Sequence, residues 1–341
     1  MKFCFVVGSL FHQKPHYTTT YLAYEAWQRG HEVAFASVED FSVSSGHHIR
    51  ALAAVAPKRS NWDRGTFLKA MQDHDLRWVP KDLAAYDVLF LRFNPNVSPE
   101  LDEAVFAPAL DLAHQLQERG VRVLNQPEGL RRSASKLYLS RFPETLHPRL
   151  FVSRRTEDLK EFLREMKKPA ILKPLRGCGG KNVFLIRSAK EPNLNQILST
   201  LTERGYVMAQ EYVPGPKPGD KRILLFEGKI LARDGFSAIY RRVSPRGEIR
   251  SNMALGATAE KTELTLEDIQ IVEQLRPQLQ RDGLDFVGVD IVGNKVIEIN
   301  VFCPGGLGTL DRLHQVDLTP AILDAIENKK NLRQNTLEIQ Q

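Results

Sequence analysis

The sequence predicts an α/β protein that opens with a parallel sheet covered by helices. Strand-like and helix-like segments alternate through the first 125 residues, which is the rhythm of βαβ units. The helical segments of this part end at Gly30 and Gly120, and helices commonly stop at glycine. The chain has 341 residues, of which 42% are hydrophobic, so it can bury a core across one to three domains.

The first third alternates predicted strands with predicted helices. The strands are the apolar segments 2–10, 32–38, 87–93 and 121–125. The helices are 18–31, which is amphipathic and opens on threonines, and 99–120. Residues 41–82 are polar and irregular, and we predict that they form an excursion from the sheet.

A helix over 125–142 leads the chain into a second unit. The predicted strands of that unit are 149–153, 170–175, 182–187 and 206–213, and its helices are 157–166 and 194–205. The later strands are 221–233, 238–243, 247–252, 285–293 and 295–302, with helices at 265–283 and 319–327. We therefore predict domains at 1–125, 126–213 and 214–330, followed by a frayed tail at 331–341.

The charge balance and the cysteines exclude several classes of protein. There are 47 basic and 41 acidic residues, a net charge of +6, without a long block of like charges. This permits an anionic ligand such as a nucleotide but does not predict nucleic-acid binding. Three widely spaced cysteines do not make a disulfide scaffold. Because no signal peptide or membrane-length apolar segment is present, we expect a soluble cytoplasmic protein.

A glycine-rich turn lies between two predicted strands, where residues 171–184 read ILKPLRGCGGKNVF. Gly177, Gly179 and Gly180 allow positive φ and close approach, so successive amides can point at phosphate oxygens. Lys173 precedes the turn and Lys181 follows it. The segment is not a Walker loop, because no G-K-[ST] ends it and a strand follows. The alternative is a plain β-hairpin loop.

Two carboxylates and an amide are predicted to share one face of a hairpin. Glu298 and Asn300 are two residues apart on one strand, and Asp290 lies on the partner strand across a Gly293–Asn294 turn. Hard oxygen ligands of this kind suit Mg²⁺. Apolar neighbours indicate burial, where a carboxylate needs a partner. The alternative is that the acids face solvent.

Further cations and the end of one predicted strand are candidates for the same site. Lys136 lies in a helical stretch, Asp220 and Arg222 begin a strand, and the broken stretch 240–257 carries Arg241, Arg242, Arg246, Arg250 and Asn252. Each cation alone is typical of a solvated surface, but as a set around a metal face they describe a polyphosphate site. The strand end Gln210, Glu211, Tyr212 and Val213 can hydrogen-bond a flat heteroaromatic ring, or can be an interdomain linker.

These residues together resemble the ATP-grasp ligases, and within them the bacterial glutathione synthetases. The resemblance runs almost from end to end. It rests on the order and spacing of LNQPEGLRRSASKLYLSRF, ILKPLRGCGGKNVFLI, MAQEYVPGPKPGDKRILLFEGK, GEIRSNMALGATAE and GLDFVGVDIVGNKVIEINV. The implied fold is an ATP-grasp fold with an N-terminal parallel-sheet (pre-ATP-grasp) domain.

The resemblance also implies a role for each singled-out residue. Lys136 and Lys173 would contact the phosphates of ATP, and Gly177, Cys178, Gly179 and Gly180 would form a mobile flap. Gln210, Glu211, Tyr212 and Val213 would line the adenine and ribose pocket, with Asp220 near the nucleotide. Arg222, Arg250 and Asn252 would be catalytic. Asp290, Glu298 and Asn300 would hold two Mg²⁺ (or Mn²⁺) ions.

The implied activity is ATP-dependent ligation of a carboxylate to an amine through an acylphosphate, with γ-glutamylcysteine and glycine as substrates. No nucleic-acid or membrane partner is expected, and a homo-oligomer is an expectation of the family. One departure is VFCPGGLGTLDRL after Asn300, where the family usually has a hydroxylated segment beside the acceptor substrate. A same-fold ligase for another amino acid, peptide or protein terminus is therefore an alternative, and so is a nucleotide-binding module without turnover. Cys178 and Cys303 are expected to be packing residues.

Overall fold

The computed structural model describes residues 1–46, 48–73, 75–76, 78–95, 103–177, 179–215 and 219–339, and only the backbone of 103, 254 and 331–339. Within these residues the chain folds into three main sheets flanked by helices, which confirms the predicted α/β class. No described helix combines the length and the apolar character needed to cross a membrane.

The N-terminal sheet has the strand order β4-β3-β2-β1-β5-β6. Its elements are β1 (Lys2–Val7), α1 (Thr18–Gln28), β2 (Glu32–Val43), β3 (Ile49–Val55), α2 (Arg64–Met71), β4 (Trp78–Asp82), β5 (Val88–Arg92), α3 (Glu103–Glu118) and β6 (Arg122–Leu124). Strand β1 pairs in parallel with β2 and β5, and β5 pairs in parallel with β6, as predicted.

The prediction for residues 41–82 is wrong. This stretch contains the end of β2, the antiparallel strands β3 and β4, and α2, so it extends the sheet instead of leaving it. The signal in Ile49–Val55 is weak: buried and exposed side chains alternate only over Ile49–Ala53, and Arg50 is the one polar residue of the strand. Short strands surrounded by serine, histidine and glycine are hard to recognise in a single sequence.

A second sheet, which we call the lid sheet, follows α4 (Pro127–Arg132) and is antiparallel with the order β7-β10-β8-β9. Its elements are β7 (Leu150–Ser153), α5 (Thr156–Met166), β8 (Ala170–Pro174), β9 (Phe184–Ile186), α6 (Leu194–Glu203) and β10 (Val207–Glu211). Strands β8 and β9 form the hairpin whose loop is the glycine turn.

The third sheet, the catalytic sheet, has the order β16-β15-β11-β17-β18, with β12 paired to β11. Its strands, helix α7 and the small hairpin β13–β14 are β11 (Asp220–Phe226), β12 (Lys229–Ile230), β13 (Ala232–Arg233), β14 (Phe236–Ser237), β15 (Ile239–Val243), β16 (Thr258–Glu260), α7 (Leu266–Arg281), β17 (Phe286–Val292) and β18 (Lys295–Asn300). Two helices, α8 (Leu307–His314) and α9 (Thr319–Ile339), end the described chain.

Three details of the C-terminal part differ from the predictions. Residues 247–252 are a loop, and the strand β16 comes later. Helix α8 had no counterpart in the prediction, and α9 continues to Ile339 instead of ending near 327. The domain limits 1–125, 126–213 and 214–330 stay a prediction.

The buried side chains form three clusters. Two of them mix residues of the N-terminal and catalytic sheets: one joins Val6 to Val289, and another joins Phe5 to Phe286. The third is confined to residues 159–209 of the lid sheet and its helices. Asn125 braces the N-terminal sheet against the catalytic sheet, because its side chain bonds both backbone groups of Phe286 and the carbonyl of Val301.

Candidate active site

A cavity of about 660 Å³ lies between the lid sheet and the catalytic sheet. This is an ordinary size for a small-molecule site. Every predicted site residue that the structure describes lines it, and Cys178 lies outside the described residues. These lining residues are Lys136, Lys173, Gly177, Gly179, Gly180, Gln210, Glu211, Tyr212, Val213, Asp220, Arg222, Arg250, Asn252, Asp290, Glu298 and Asn300.

The three residues of the predicted metal face lie on β17 and β18. Asp290 lies directly opposite Glu298 in the antiparallel register, and Asn300 lies opposite Gly288. Because directly opposed residues point to the same side, Asp290 and Glu298 share one face. The Asn300 amide nitrogen donates to Asp290 Oδ2 at 3.1 Å. The neighbours Val287, Val289 and Ile291 point the other way, into the core.

Asp290 is also the centre of a buried charge network. Arg222 donates to both of its carboxylate oxygens, at 2.5 and 2.7 Å, and Arg242 Nη2 lies 2.7 Å from Oδ2. Arg242 forms a second two-pronged pair with Asp220, at 2.7 and 2.8 Å. Ser251 donates to the same Asp220 carboxylate. Two acids and two guanidinium groups therefore balance each other in the wall of the cavity.

The network separates the pKa values of its two acids. Burial opposes the ionisation of Asp290, but Arg222 and Arg242 overcome it and hold the pKa of Asp290 below its usual range. Burial and the nearby Asp290 raise the pKa of Asp220, against the opposing effect of Arg242. Asp290 therefore keeps its negative charge at neutral pH.

The opposite wall of the cavity belongs to the lid sheet. Ile171 and Lys173 of β8 face the cavity, whereas Ala170 and Leu172 alternate into the lid core. Lys173 Nζ donates to Gln210 Oε1 at 2.8 Å, and burial lowers the pKa of Lys173 to about 8. The Gln210 side-chain nitrogen is buried and has no hydrogen-bond partner among the described residues. An unpaired buried donor in a cavity wall fits a site that a polar ligand completes.

The glycine turn reaches both Lys136 and the loop 244–252. Lys136 Nζ donates to the Gly177 carbonyl at 2.6 Å and lies 3.7 Å from Glu298. Arg250 donates to the Gly180 carbonyl at 3.0 Å, so the turn and the loop touch over the cavity. Gly177, Gly179 and Gly180 all have positive φ, as the hairpin requires. The glycine turn is thus a β-hairpin loop and also part of the cavity wall.

Glu211 and Arg250 hold partners that the sequence pattern does not reveal. Glu211 pairs with the exposed Lys168 at the rim. The Arg250 guanidinium donates to Glu248 and lowers the pKa of that carboxyl group to about 2. Spacing gives no sign of the second pair, because it depends on the path of an irregular loop.

Sequence reasoning also missed Arg242 and Arg92. Arg242 was one cation among several in a broken stretch, and only the β11–β15 register brings it beside Asp220. Arg92 is buried at the end of β5 and donates to the Pro304 carbonyl at 3.0 Å and to Thr19 at 3.2 Å. It anchors the wall formed by Phe302, Cys303 and Pro304, and Cys303 itself is exposed there.

The donor set fits a divalent cation. Mg²⁺ is commonly held by one or two carboxylates together with substrate phosphates. Asp290 and Glu298 supply two carboxylates, and the Asn300 amide oxygen makes no hydrogen bond to a described residue. Among the described residues no group of three or more His, Cys, Asp and Glu side chains is gathered in the manner of an all-protein metal cage. The arrangement therefore suits an ion that arrives with phosphate.

The chain matches two family models and a set of curated relatives. Residues 1–131 match the family model for the prokaryotic glutathione synthetase N-terminal domain, and residues 135–315 match the model for the ATP-grasp domain of the same enzymes. The chain is 34% identical over 305 residues to glutathione synthetase of Escherichia coli O127:H6, covering 89% of this chain and 90% of the relative. It is 32% identical over 307 residues to that of Vibrio parahaemolyticus, with the same coverage of both chains.

Solved structures support the fold. The ATP-grasp ligase PsnB with its minimal precursor superposes with a TM-score of 0.63 at 17% identity, covering 96% of this chain and 98% of that one. The D-cycloserine synthetase DcsG superposes with a TM-score of 0.62 at 15% identity, covering 95% and 100%. The predicted ATP-grasp fold with an N-terminal sheet domain is confirmed.

Proposed function

Because the chain belongs to the prokaryotic glutathione synthetase family, we propose that its large cavity joins γ-glutamylcysteine to glycine at the expense of ATP. The chain is an ATP-dependent carbon–nitrogen ligase, as the resemblance predicted. One observation carries the assignment of the site: the phosphate-binding candidates Lys136 and Lys173 face Asp290, Glu298 and Asn300 across a single cavity.

The lid wall would bind the nucleotide. Gln210 to Val213 lie at the end of β10, where the unpaired Gln210 nitrogen supports contact with a polar ring. Lys173 lies on the same wall and Lys136 lies beside Glu298, and both cations would neutralise phosphate oxygens together with amides of the glycine turn.

The catalytic wall would hold the divalent metal through Asp290, Glu298 and Asn300. When bound, the metal supplies positive charge against the phosphate oxygens. Arg222 and Arg242 keep the Asp290 carboxylate ionised and oriented, since they contact both of its oxygens. Mg²⁺ and Mn²⁺ both suit these ligands.

The reaction needs positioning and charge neutralisation. The substrate carboxylate attacks the γ-phosphorus of ATP, ADP leaves, and an acylphosphate forms. The amine then attacks the acyl carbon, the tetrahedral intermediate expels phosphate, and the amine loses a proton. Arg222, Arg250 and Asn252 would steady the carboxylate and the transferred phosphate. The contact between Arg250 and Gly180 would keep water from the acylphosphate.

A same-fold ligase with a different acceptor is the second candidate, and the wall beside Asn300 favours it. Phe302, Cys303 and Pro304 line that end of the cavity, and Gly305 and Gly306 follow them. Phe302 and Cys303 stand before the proline, where the family usually has a hydroxylated segment, so the contacts offered to the acceptor there would differ. The cytoplasmic location, the homo-oligomer and the absence of a nucleic-acid partner stay predictions.

The experiment is a product analysis by mass spectrometry. Purified protein is incubated with MgATP, γ-glutamylcysteine and glycine, then with glycine replaced by each of the other amino acids, and ADP is measured in parallel. We expect glutathione and stoichiometric ADP with glycine. Product only with another amine would establish the second candidate, and ATP binding without ADP in any mixture would contradict both. The same assay is applied to Glu298→Ala, which removes a proposed metal ligand. Its matched control is Glu263→Ala, a change of an exposed loop residue outside the cavity.

A further inference from the structure

A second cavity, of about 260 Å³, lies on the reverse face of the catalytic sheet, beside the start of α7. Its lining includes Lys221, Arg241, Thr265, Glu267 and Ile291. Side chains alternate along a strand, so Lys221 and Arg241 point away from the large cavity, whereas Asp220 and Arg242 point into it. The two cavities therefore divide the side chains of these two strands between them, and Gly215, Gly219 and Val292 border both.

Two cations lie side by side in the reverse-face cavity. Lys221 and Arg241 are direct partners in the antiparallel register of β11 and β15. Like charges at directly opposed positions destabilise a sheet unless they are neutralised. Lys221 has a neutralising partner, since its Nζ lies 2.5 Å from Asp268 Oδ2.

Arg241 has no such partner. Arg241 is only 9% exposed, and its guanidinium makes no hydrogen bond or ion pair with any residue that the structure describes. Asp268 forms no ion pair with Arg241; its Oδ2 atom holds Lys221 and accepts the backbone and hydroxyl groups of Thr265 in the capping box of α7. Glu260 lies opposite Arg241 on β16 but forms no ion pair with it. A buried guanidinium without an anion is costly.

We propose that the reverse-face cavity binds a small oxyanion, a carboxylate or a phosphate, on Arg241. The planar guanidinium matches the two oxygens of such a group. The cavity is less than half the volume of the site between the sheets, and Glu267 adds a negative charge to its rim. Both features favour a small ligand of low charge over a nucleotide.

The test is thermal unfolding and calorimetry of the full chain at constant ionic strength, with chloride replaced by acetate or by inorganic phosphate. Arg241→Gln is compared with Lys229→Gln, which removes an exposed cation from the same sheet. Anion binding in the large cavity is common to both variants and cancels in the comparison. We expect either anion to raise the Tm of the wild type and of Lys229→Gln more than that of Arg241→Gln. The calorimetric affinity should be about tenfold weaker in Arg241→Gln.

The free proteins give a second readout. In chloride alone, Arg241→Gln should be at least as stable as the wild type, because it removes an unneutralised buried charge. An equal response of Arg241→Gln and Lys229→Gln to both anions would overturn the proposal, and so would a clear loss of stability of Arg241→Gln in chloride. Arg241→Lys keeps the charge but loses the planar fork of the guanidinium, so it should bind either anion more weakly than the wild type. A response to phosphate but not acetate would identify the ligand as a phosphate, and a response to both would include carboxylates.

Discussion

The lid sheet has a hydrophobic core of its own, whereas the N-terminal and catalytic sheets share theirs. Leu159, Leu172 and Leu198 pack only with their own unit, but Val6 and Val289 belong to one cluster. The two walls of the active-site cavity are therefore attached to different bodies. One wall, with Asp290, is part of a large braced body, and the other, with Lys173, is carried by a small independent one.

Because of this difference, mutations in the two walls should affect different properties of the protein. A change in the catalytic wall disturbs charges that are buried against each other in the large body, so it should lower global stability as well as turnover. A change in the lid wall should lower the affinity for ATP and leave the unfolding of the large body unchanged.

Asp290→Asn should abolish turnover and destabilise the fold. It leaves Arg222 and Arg242 with one acid between them, and breaking a buried ion pair costs about 3–5 kcal/mol. Chemical denaturation monitored by circular dichroism measures the loss. A fully stable variant would contradict the view that the catalytic wall is braced by charge.

Glu298→Ala should lose turnover by roughly a thousandfold, yet retain its stability. The Glu298 side chain is 36% exposed, and its ion-pair partner, Lys136, is 3.7 Å away, so folding does not depend on it. This variant separates ligand binding from bracing within one wall. Normal ligase activity would disprove the metal assignment.

Lys173 should make ATP binding pH-dependent. Its pKa is lowered to about 8, so above pH 8 the free protein holds it largely neutral, and the phosphates of ATP favour the charged form. ATP binding should then take up a proton, and affinity should fall as the pH rises above 8. Calorimetry in buffers of different ionisation enthalpy detects the proton.

Lys173→Met is the matched variant for that measurement. It should abolish the proton uptake and weaken ATP binding, while the unfolding of the large body stays unchanged. Proton uptake that persists in this variant would assign the effect to another group.

Gly180→Ala should weaken ATP binding by about fivefold, roughly 1 kcal/mol, because the added Cβ crowds the Arg250 side chain and shifts the glycine turn. Its φ is +73°, and an added Cβ would lie 3.0 Å from the Arg250 side chain. Gly235→Ala is the control, because φ there is +79° and nothing lies within 4 Å of the added atom. Equal ATP affinity in the two variants would show that the contact with Arg250 is irrelevant.

Cys303→Ser should have the smallest effect. The Cys303 thiol makes only a long contact, of 3.7 Å, with the Arg92 carbonyl, so the variant should keep most of its activity. A folded but inactive protein would show that the thiol takes part in the reaction.

The sequence predicts the strands of this fold better than its edges and loops. Apolar strands such as Lys2–Val7 and Phe286–Val292 are recognisable because both faces are buried. Trp78–Asp82 was missed because it is an edge strand with mixed side chains. Ile49–Val55 lies inside the sheet between β2 and β4 and was missed because it is short and its pairing depends on those partners.

In the candidate site, too, local patterns could be predicted and contacts between distant segments could not. Asp290, Glu298 and Asn300 could be placed on one face, because a hairpin and a period of two determine it. The partners Arg242 and Glu248 could not be placed, since one depends on the β11–β15 register and the other on an irregular loop. Arg241 looked like any surface cation until the structure showed it buried.

The hydrogen bond from Arg250 to the Gly180 carbonyl has a consequence for product release. It joins the glycine turn to the loop 244–252, so we expect these two segments to open together. Spent nucleotide and finished peptide would then depart during the same interval, and the frequency of that opening would limit how often the enzyme can turn over.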